Sequence, residues 1–172
     1  MKYILIFLIT TVVYAQPDVN VLSETEFESI QLNGHNISQI RNTNGQESQI
    51  VNLFGQALEF NSYSSGRSKQ YIYDDFNLNF SSYISESNTN ELSGFELTKS
   101  TAEIIINNVN FSIGDDISVL SPLNLTPNNG GNYPPGIRSY IIAPCEKCNH
   151  YIYVEYSIIS NKIGKVGYVE MT

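Results

Sequence analysis

The sequence is poor in charge, and above all in positive charge. Its 172 residues include 9 Lys and Arg against 17 Asp and Glu, which gives a formal net charge of −8. Charged residues make up 15% of the chain, where an average globular protein has roughly 25%. Because nucleic-acid binding relies on clusters of Lys and Arg that neutralise phosphates, this composition argues against a nucleic-acid partner.

Catalytic motifs are also missing. The chain has no Gly-x-Ser-x-Gly, His-Glu-x-x-His or Gly-x-x-x-x-Gly-Lys segment, and its two histidines are His35 and His150. Asp115 and Asp116 are adjacent, but neighbouring residues on a helix do not face each other and so make a poor catalytic pair. We therefore expect no enzymatic activity. Because the members of a catalytic triad converge only in space, a small secreted hydrolase is kept as an alternative.

Two cysteines are present, in the segment Cys145-Glu-Lys-Cys148. This spacing is typical of redox pairs, of metal sites and of small structural disulfides. A redox pair usually begins a helix, whereas this segment follows Pro144 between two strand-like runs, which favours a disulfide at a hairpin tip. With His150 the cysteines supply three zinc ligands, but a closed site takes four. Asn149 stands where a haem attachment site needs histidine, so we predict neither a metal nor a cofactor.

The first fifteen residues have the features of a secretory signal peptide. Lys2 gives a positive start, residues 3–14 carry no charge, and Val13-Tyr14-Ala15 places small residues before a cleavage site at Gln16. The apolar run is too short to cross a hydrocarbon core of roughly 30 Å, and no other segment comes close. We therefore predict an exported protein, periplasmic or extracellular, without a transmembrane segment. Residues 16–28 are polar and non-periodic, which indicates a flexible leader.

Most of the remaining chain alternates between apolar and polar residues with the period of two that half-buried strands show. The runs are 30–33, 36–40, 71–73, 76–80, 95–97, 104–111, 140–143, 151–159 and 163–169. Helix signals are limited to residues 46–54, which Gly55 can end, and to a short helix starting at Gly114-Asp-Asp. The pattern predicts an α+β fold with antiparallel strands.

Four segments recur in the same order along the chain. Residues 30–38 align with 104–112, 45–51 with 114–120, 71–73 with 151–153, and 94–97 with 167–170. A fixed order of similar segments is the signature of an internal repeat. We predict two related halves, residues 29–100 and 101–172, each a short helix packed on an antiparallel sheet.

The segment Gly45-Gln-Glu-Ser-Gln-Ile-Val-Asn-Leu-Phe-Gly55, followed by Tyr71-Ile-Tyr-Asp, carries a resemblance. It is similar to the β-lactamase-inhibitor-protein-like modules and to the small outer-membrane-assembly lipoproteins of the SmpA/OmlA type. In those families Leu-Gly-x-Pro ends the helix, whereas Gln56-Ala57 follows Gly55 here. The resemblance implies a binding module, an inhibitor or an assembly partner, and no catalysis.

Tyrosine is the most distinctive residue type, with twelve Tyr beside eight Phe and no Trp. Tyr71 and Tyr73, and likewise Tyr151 and Tyr153, occupy alternate positions on predicted strands. Such tyrosines pack their rings on a half-buried sheet, and tyrosine is also enriched at the centre of protein interfaces. These four side chains are therefore candidates for a recognition surface.

Two loops add further candidates. Residues 125–136 form the longest stretch without periodicity and contain Tyr133, and residues 56–69 contain Tyr63 and Arg67. Long loops inside a compact domain are often functional. If the halves are related, the loops emerge from equivalent positions, so we predict that Tyr133 and Arg67 share one binding edge.

The sequence favours an exported, non-catalytic protein-binding module. A structural matrix or adhesion component is a second alternative, suggested by the Asn/Ser/Tyr-rich composition.

Overall fold

The computed structural model describes residues 18–82, 90–130 and 133–170. The signal peptide predicted at residues 1–15 lies outside the described residues. The strands are β1 Val19–Val21, β2 Gln31–Leu32, β3 His35–Asn36, β4 Glu59–Tyr63, β5 Ser68–Ile72, β6 Phe76–Ser81, β7 Glu91–Leu97, β8 Ile104–Ile106, β9 Val109–Phe111, β10 Ile137–Ala143, β11 His150–Ser157 and β12 Ile163–Glu170. The helices are α1 Glu24–Glu28, α2 Ile37–Asn42 and α3 Glu47–Phe54, and 3-10 segments cover Ser64–Gly66 and Ile117–Leu123.

The strands form two sheets. The larger has eight strands in the order β1-β10-β11-β12-β7-β6-β5-β4, and the smaller has four in the order β3-β2-β8-β9. Neighbouring strands run antiparallel, except that β1 runs parallel to β10. The predicted α+β fold with antiparallel strands is thus confirmed.

One face of the large sheet carries the hydrophobic core. On β6, Phe76, Leu78 and Phe80 are buried while Asn77 and Asn79 between them are partly exposed. The buried side chains of the large sheet join those of the helices and of the small sheet in one continuous cluster. We call this side of the large sheet the inner face and the opposite side the open face, since alternate residues of a strand point to opposite faces.

Residues 18–28 differ from the flexible leader that the sequence predicts. β1 pairs with β10, and α1 begins with a capping box in which Ser23 Oγ accepts from the backbone N–H of Glu26. Glu26 in turn accepts from the backbone N–H of Ser23 at 2.9 Å. Phe27 is fully buried. The segment has a polar composition, but Phe27, Leu22 beside the core and the pairing of β1 are enough to anchor it.

The predicted strand at residues 36–40 is wrong, because the helix α2 begins at Ile37. The backbone N–H of Asn36 donates to Gln39 Oε1 at 2.8 Å, one of the two bonds of a capping box. Ile37 and Ile40 are both fully buried, which is the i, i+3 spacing of one helix face. A run of five residues fits both the strand period of two and the helix period of 3.6. The helix cap at Asn36 shows which of the two the segment adopts. The predicted helix at residues 46–54 is confirmed as α3, which Gly55 ends with a φ of +77°.

The proposed match between residues 71–73 and 151–153 does not fit the topology. In the large sheet, β7 pairs with β12, which joins the meander β4 to β7 to the meander β10 to β12. In the first meander β5 is the third strand, counted from β7 as the first. In the second meander β11 is the second strand, counted from β12 as the first. The two Tyr-Ile-Tyr segments therefore do not occupy equivalent positions.

Candidate functional site

A single row of cross-strand neighbours crosses the open face from one edge of the large sheet to the other. Each residue is the registered partner of the next, so all eight share one face. The row consists of Val19, Ile141, Tyr153, Gly167, Glu96, Asn77, Ile72 and Glu59. Apart from Gly167 its members keep part of their surface exposed.

The chemistry of the open face changes along the sheet. A second row of registered partners comprises Tyr151, Val169, Gly94, Asn79, Gln70 and Asn61. In these two rows β10, β11 and β12 contribute aliphatic and tyrosine side chains and one glycine, and Glu155 and Lys165 follow on the same face. Where β4, β5 and β6 pass, it presents mostly amides, including Asn77, whose buried Oδ1 has no hydrogen-bond partner. The apolar part is the candidate contact surface, because burying it would release water without leaving polar groups unpaired.

Tyr153 lies flat across the open face because its neighbour in the row is a glycine. A Cβ placed on Gly167 would lie 2.5 Å from Tyr153 Oη, so a larger residue would push the ring away. The ring passes over β12, and its hydroxyl donates to Glu96 Oε2 on β7 at 2.8 Å. Lys165 Nζ is 3.0 Å from the same carboxylate oxygen and 5.3 Å from the ring centroid.

This arrangement also sets the protonation of Tyr153. Burial raises the pKa of its hydroxyl, and the hydrogen bond to Glu96 raises it further, because the ionised carboxylate accepts only from the neutral phenol. Tyr153 therefore stays neutral, with its polar end already bonded within the protein. Its ring therefore forms a fixed apolar surface on the open face.

Tyr151 and Tyr133 form the walls of a cleft of about 360 Å³ at the β1 side of the open face. The strand residues Val19, Ile141 and Ala143 also line it. The volume falls within the range of small-ligand sites, roughly 300–1,000 Å³, and suits one or two side chains of a partner. We call it the Tyr133–Tyr151 cleft.

The remaining lining residues are Asn128, Glu146 and both cysteines. Cys145 and Cys148 form a disulfide with Cα atoms 5.2 Å apart, at the tip that connects β10 to β11, as predicted. Glu146 gives the cleft its only charged side chain among the described residues. The cleft is therefore apolar and aromatic with a single carboxylate.

Tyr133 is held in place by hydrogen bonds. Its hydroxyl oxygen accepts from Ser139 Oγ at 2.5 Å and from Asn128 Nδ2 at 3.1 Å. Ser139 and Asn128 are buried, and a β-bridge joins them. The loop predicted at residues 125–136 thus has neither helix nor strand over its described residues. Its Tyr133 is anchored to the sheet. Gly131 and Asn132 lie outside the described residues.

Tyr71 and Tyr73 are not part of this surface. They are 1% and 8% exposed and belong to the hydrophobic core. Burial raises the pKa of each to about 12. Their predicted role in recognition is wrong, because β5 points Tyr71 to the inner face and Ile72 to the open face.

The predicted edge shared by Tyr133 and Arg67 is also wrong. The predicted loop at residues 56–69 is wrong over most of its length, because it contains β4, a 3-10 segment and the start of β5. Tyr133 bonds to β10, whereas Tyr63 ends β4 and Arg67 follows the 3-10 segment between β4 and β5. β10 and β4 are six strand spacings apart, which is about 29 Å at about 4.8 Å per strand. Tyr63 and Arg67 therefore lie at the opposite edge of the sheet.

Each of the two histidines packs against a phenylalanine ring. His35 stands edge-on to Phe54 at 4.8 Å, and His150 lies 5.4 Å from the ring of Phe27. Neither lines the Tyr133–Tyr151 cleft. Within the described ranges, no three His, Cys, Asp or Glu side chains are grouped as a metal site would need. The described helices are all too short or too polar to cross a membrane.

Comparison with known proteins gives no identity. The chain matches no family model, no curated protein and no solved structure. The open face and its cleft therefore carry the functional argument.

Sequence reasoning missed Val19, Ile141, Val169, Glu96 and Lys165. Glu96 and Tyr153 are 57 residues apart in the chain, and nothing local to either marks the other. Val19 looked like part of a leader. The one available signal was Gly167 in the interior of a predicted strand, since a glycine there often marks close approach of another group.

Proposed function

We propose that the protein is an exported, non-catalytic protein-binding module that contacts its partner with the apolar part of the open face. The observation that carries the proposal is the Tyr133–Tyr151 cleft, an apolar recess beside the flat ring of Tyr153. Rigid tyrosines bury large area on binding at a small loss of side-chain entropy. They are typical of the few side chains that dominate binding energy.

Export is supported by two features. The leader of residues 1–15 has the composition of a signal peptide. The Cys145–Cys148 disulfide fits an oxidising compartment outside the cytosol. The acidic composition does not exclude any class of protein partner, but it favours a partner whose contact surface is neutral or basic.

We also propose that the two halves of the chain are related by an internal two-fold. The central pair of the large sheet supports this relation, because Phe95 and Tyr168 are aligned in sequence and are also registered partners. The small sheet repeats the pattern with Gln31 and Ile105. Under such a relation the open face belongs to both halves, and divergence has made one part aromatic and the other amide-rich.

The hairpin turns of the small sheet give further support. Asn33 and Gly34 have φ values of +47° and +82°, and the aligned Asn107 and Asn108 have +48° and +65°. Two successive residues with positive φ are the mark of a type I′ turn, which suits a two-residue hairpin loop. The resemblance to the β-lactamase-inhibitor-protein-like and SmpA/OmlA-type modules belongs to the same proposal, as a non-catalytic architecture.

The proposal is tested by capture and affinity measurement. The immobilised mature protein is exposed to envelope and culture-fluid fractions of the source organism, and retained proteins are purified and titrated against it. We expect Tyr151→Ala to weaken binding by about ten-fold or more, since hot-spot truncations cost roughly 1–2 kcal/mol or more. Ile159→Ala is the control, because it shortens a large side chain that is 86% exposed in the β11–β12 turn and has no part in the proposed surface. Full affinity in folded Tyr151→Ala would contradict the proposal.

A further inference from the structure

The strand β4 is an unpaired edge. It pairs with β5 on one side, and no described residue pairs with its other side. An unpaired edge exposes a row of backbone N–H and C=O groups, and natural proteins usually protect it with lysine, proline, a bulge or a very short strand. The sequence of β4, Glu-Phe-Asn-Ser-Tyr, contains no lysine or proline, and its five-residue register with β5 is regular. The opposite edge, β1, has three residues.

Exposed apolar side chains are concentrated at the same edge. Leu58 is 73% exposed, Phe60 38% and Tyr63 54%. The ring of Phe60 lies 4.8 Å from that of Tyr71, so one side of it rests on the core. Its other side is exposed at the position that the side chains of a further strand would cover.

We propose that β4 pairs antiparallel with β4 of a second copy of this chain, so that two eight-stranded sheets join edge to edge. Full overlap of the five residues places Asn61 opposite its own counterpart, Phe60 opposite Ser62, and Glu59 opposite Tyr63. No like charges face each other in this register, which would otherwise be destabilising.

The charges along the edge favour a second copy in this orientation. Glu59 begins β4, and the exposed Arg67 lies just beyond the end of β4. An antiparallel arrangement brings the acidic end of each copy toward the basic end of the other. A parallel arrangement would bring like ends together. The edge is thus complementary to itself only when the two strands run in opposite directions.

A five-residue edge buries less surface than a standard interface, so the association is reversible, with a dissociation constant on the order of 1–100 µM. Sedimentation velocity of the mature protein from about 1 µM to about 1 mM brackets this range. The expected result is a monomer that converts to a dimer as concentration rises. A monomer at the highest concentration overturns the proposal.

A charge exchange at the centre of the register tests the geometry. Asn61→Lys and Asn61→Asp each place two like charges opposite each other, and each variant alone dimerises at least about ten-fold more weakly. An equimolar mixture of the two variants restores the dimer, because opposite charges then face each other. Ser160→Lys and Ser160→Asp, in the exposed β11–β12 turn, are the matched controls and leave dimerisation unchanged. If either Asn61 variant alone dimerises like the wild type, or if the mixture fails to associate, the proposed pairing is wrong.

Discussion

The tripeptide Tyr-Ile-Tyr occurs twice in this chain, and the two copies have opposite environments. In β5, Tyr71 is buried on the inner face, where its hydroxyl donates to the carbonyl of Gly45 at 3.0 Å, and Ile72 lies on the open face. In β11, Ile152 is fully buried, and Tyr151 and Tyr153 lie on the open face. Identical sequence thus provides core side chains in one place and partly exposed side chains on the open face in the other.

The difference lies in the phase of the alternation relative to the core. Tyr71 is registered with Leu78 on the inner face of β6, and Ile152 is registered with Tyr168 on the inner face of β12. A shift of one residue in register moves every side chain of a strand to the other face. A tripeptide is enough to show that its residues alternate between two faces of a strand. Which of these faces is buried depends on the pairing of the strand with strands that are distant in sequence.

The largest expected effect comes from removing one ring from each tripeptide. Tyr71→Ala opens a cavity among Phe60, Phe80 and Leu78 and should lower the free energy of unfolding by about 3–5 kcal/mol. Tyr151→Ala removes a partly exposed wall of the cleft and should cost less than about 1 kcal/mol. Urea denaturation followed by circular dichroism measures both. Equal losses in the two variants would mean that the faces are assigned wrongly.

Local patterns were sufficient to predict most of the fold. The alternation in residues 76–80 and 163–169 predicts strands because one face of each is wholly apolar, and the helix at 46–54 has both an apolar stripe and a terminating glycine. The run 36–40 was misjudged because five residues fit a helix and a strand equally. The leader was misjudged because its contacts, β1 with β10 and Phe27 with the core, are made with residues far along the chain.

The candidate site was harder to predict than the fold. Tyr133, Tyr151 and Tyr153 were identified from residue type, since tyrosine suits both a half-buried sheet and an interface. Their grouping on one face depends on the order of the strands, and the order β12-β7 places β10 and β4 near opposite edges. That order follows from pairing between residues more than fifty positions apart, which no single sequence window contains.

Alkaline pH should lower stability through several tyrosines whose pKa values are raised in the fold, and Tyr71 and Tyr73 of the buried tripeptide are two of them. The pKa values of Tyr71 and Tyr73 are raised by burial to about 12 in the folded protein, against an ordinary value of 10.0. The stability that this difference provides is complete below pH 10 and is lost as pH rises toward 12, by about 2–3 kcal/mol for each tyrosine. Unfolding measured against pH should show this decline, and Tyr71→Phe with Tyr73→Phe should make it shallower without removing it, because the pKa values of Tyr153 and Tyr168 are raised as well. A double variant that declines as steeply as the wild type would contradict burial of these hydroxyls.

The smallest effect is expected at the turns that adjoin the two tripeptides. The β5–β6 turn is closed by hydrogen bonds, including Tyr73 N–H to the carbonyl of Phe76 at 2.9 Å, whereas the β10–β11 tip carries the Cys145–Cys148 disulfide. A disulfide that closes so short a loop removes little entropy from the unfolded chain, so replacing both cysteines with serine should cost less than about 2 kcal/mol and lower Tm by no more than about 5 °C.

The same double serine variant should bind the partner almost as tightly as the wild type. Tyr133 is fixed by Ser139 and Asn128, and Tyr151 is fixed by its place in β11, so the walls of the cleft do not depend on the disulfide. Calorimetry measures the stability of the variant, and titration with the captured partner measures its affinity. Both measurements are repeated on the wild type with and without a reductant. Failure of the variant to fold, or loss of binding in a folded variant, would instead assign the cysteines a metal-binding or redox role at the cleft.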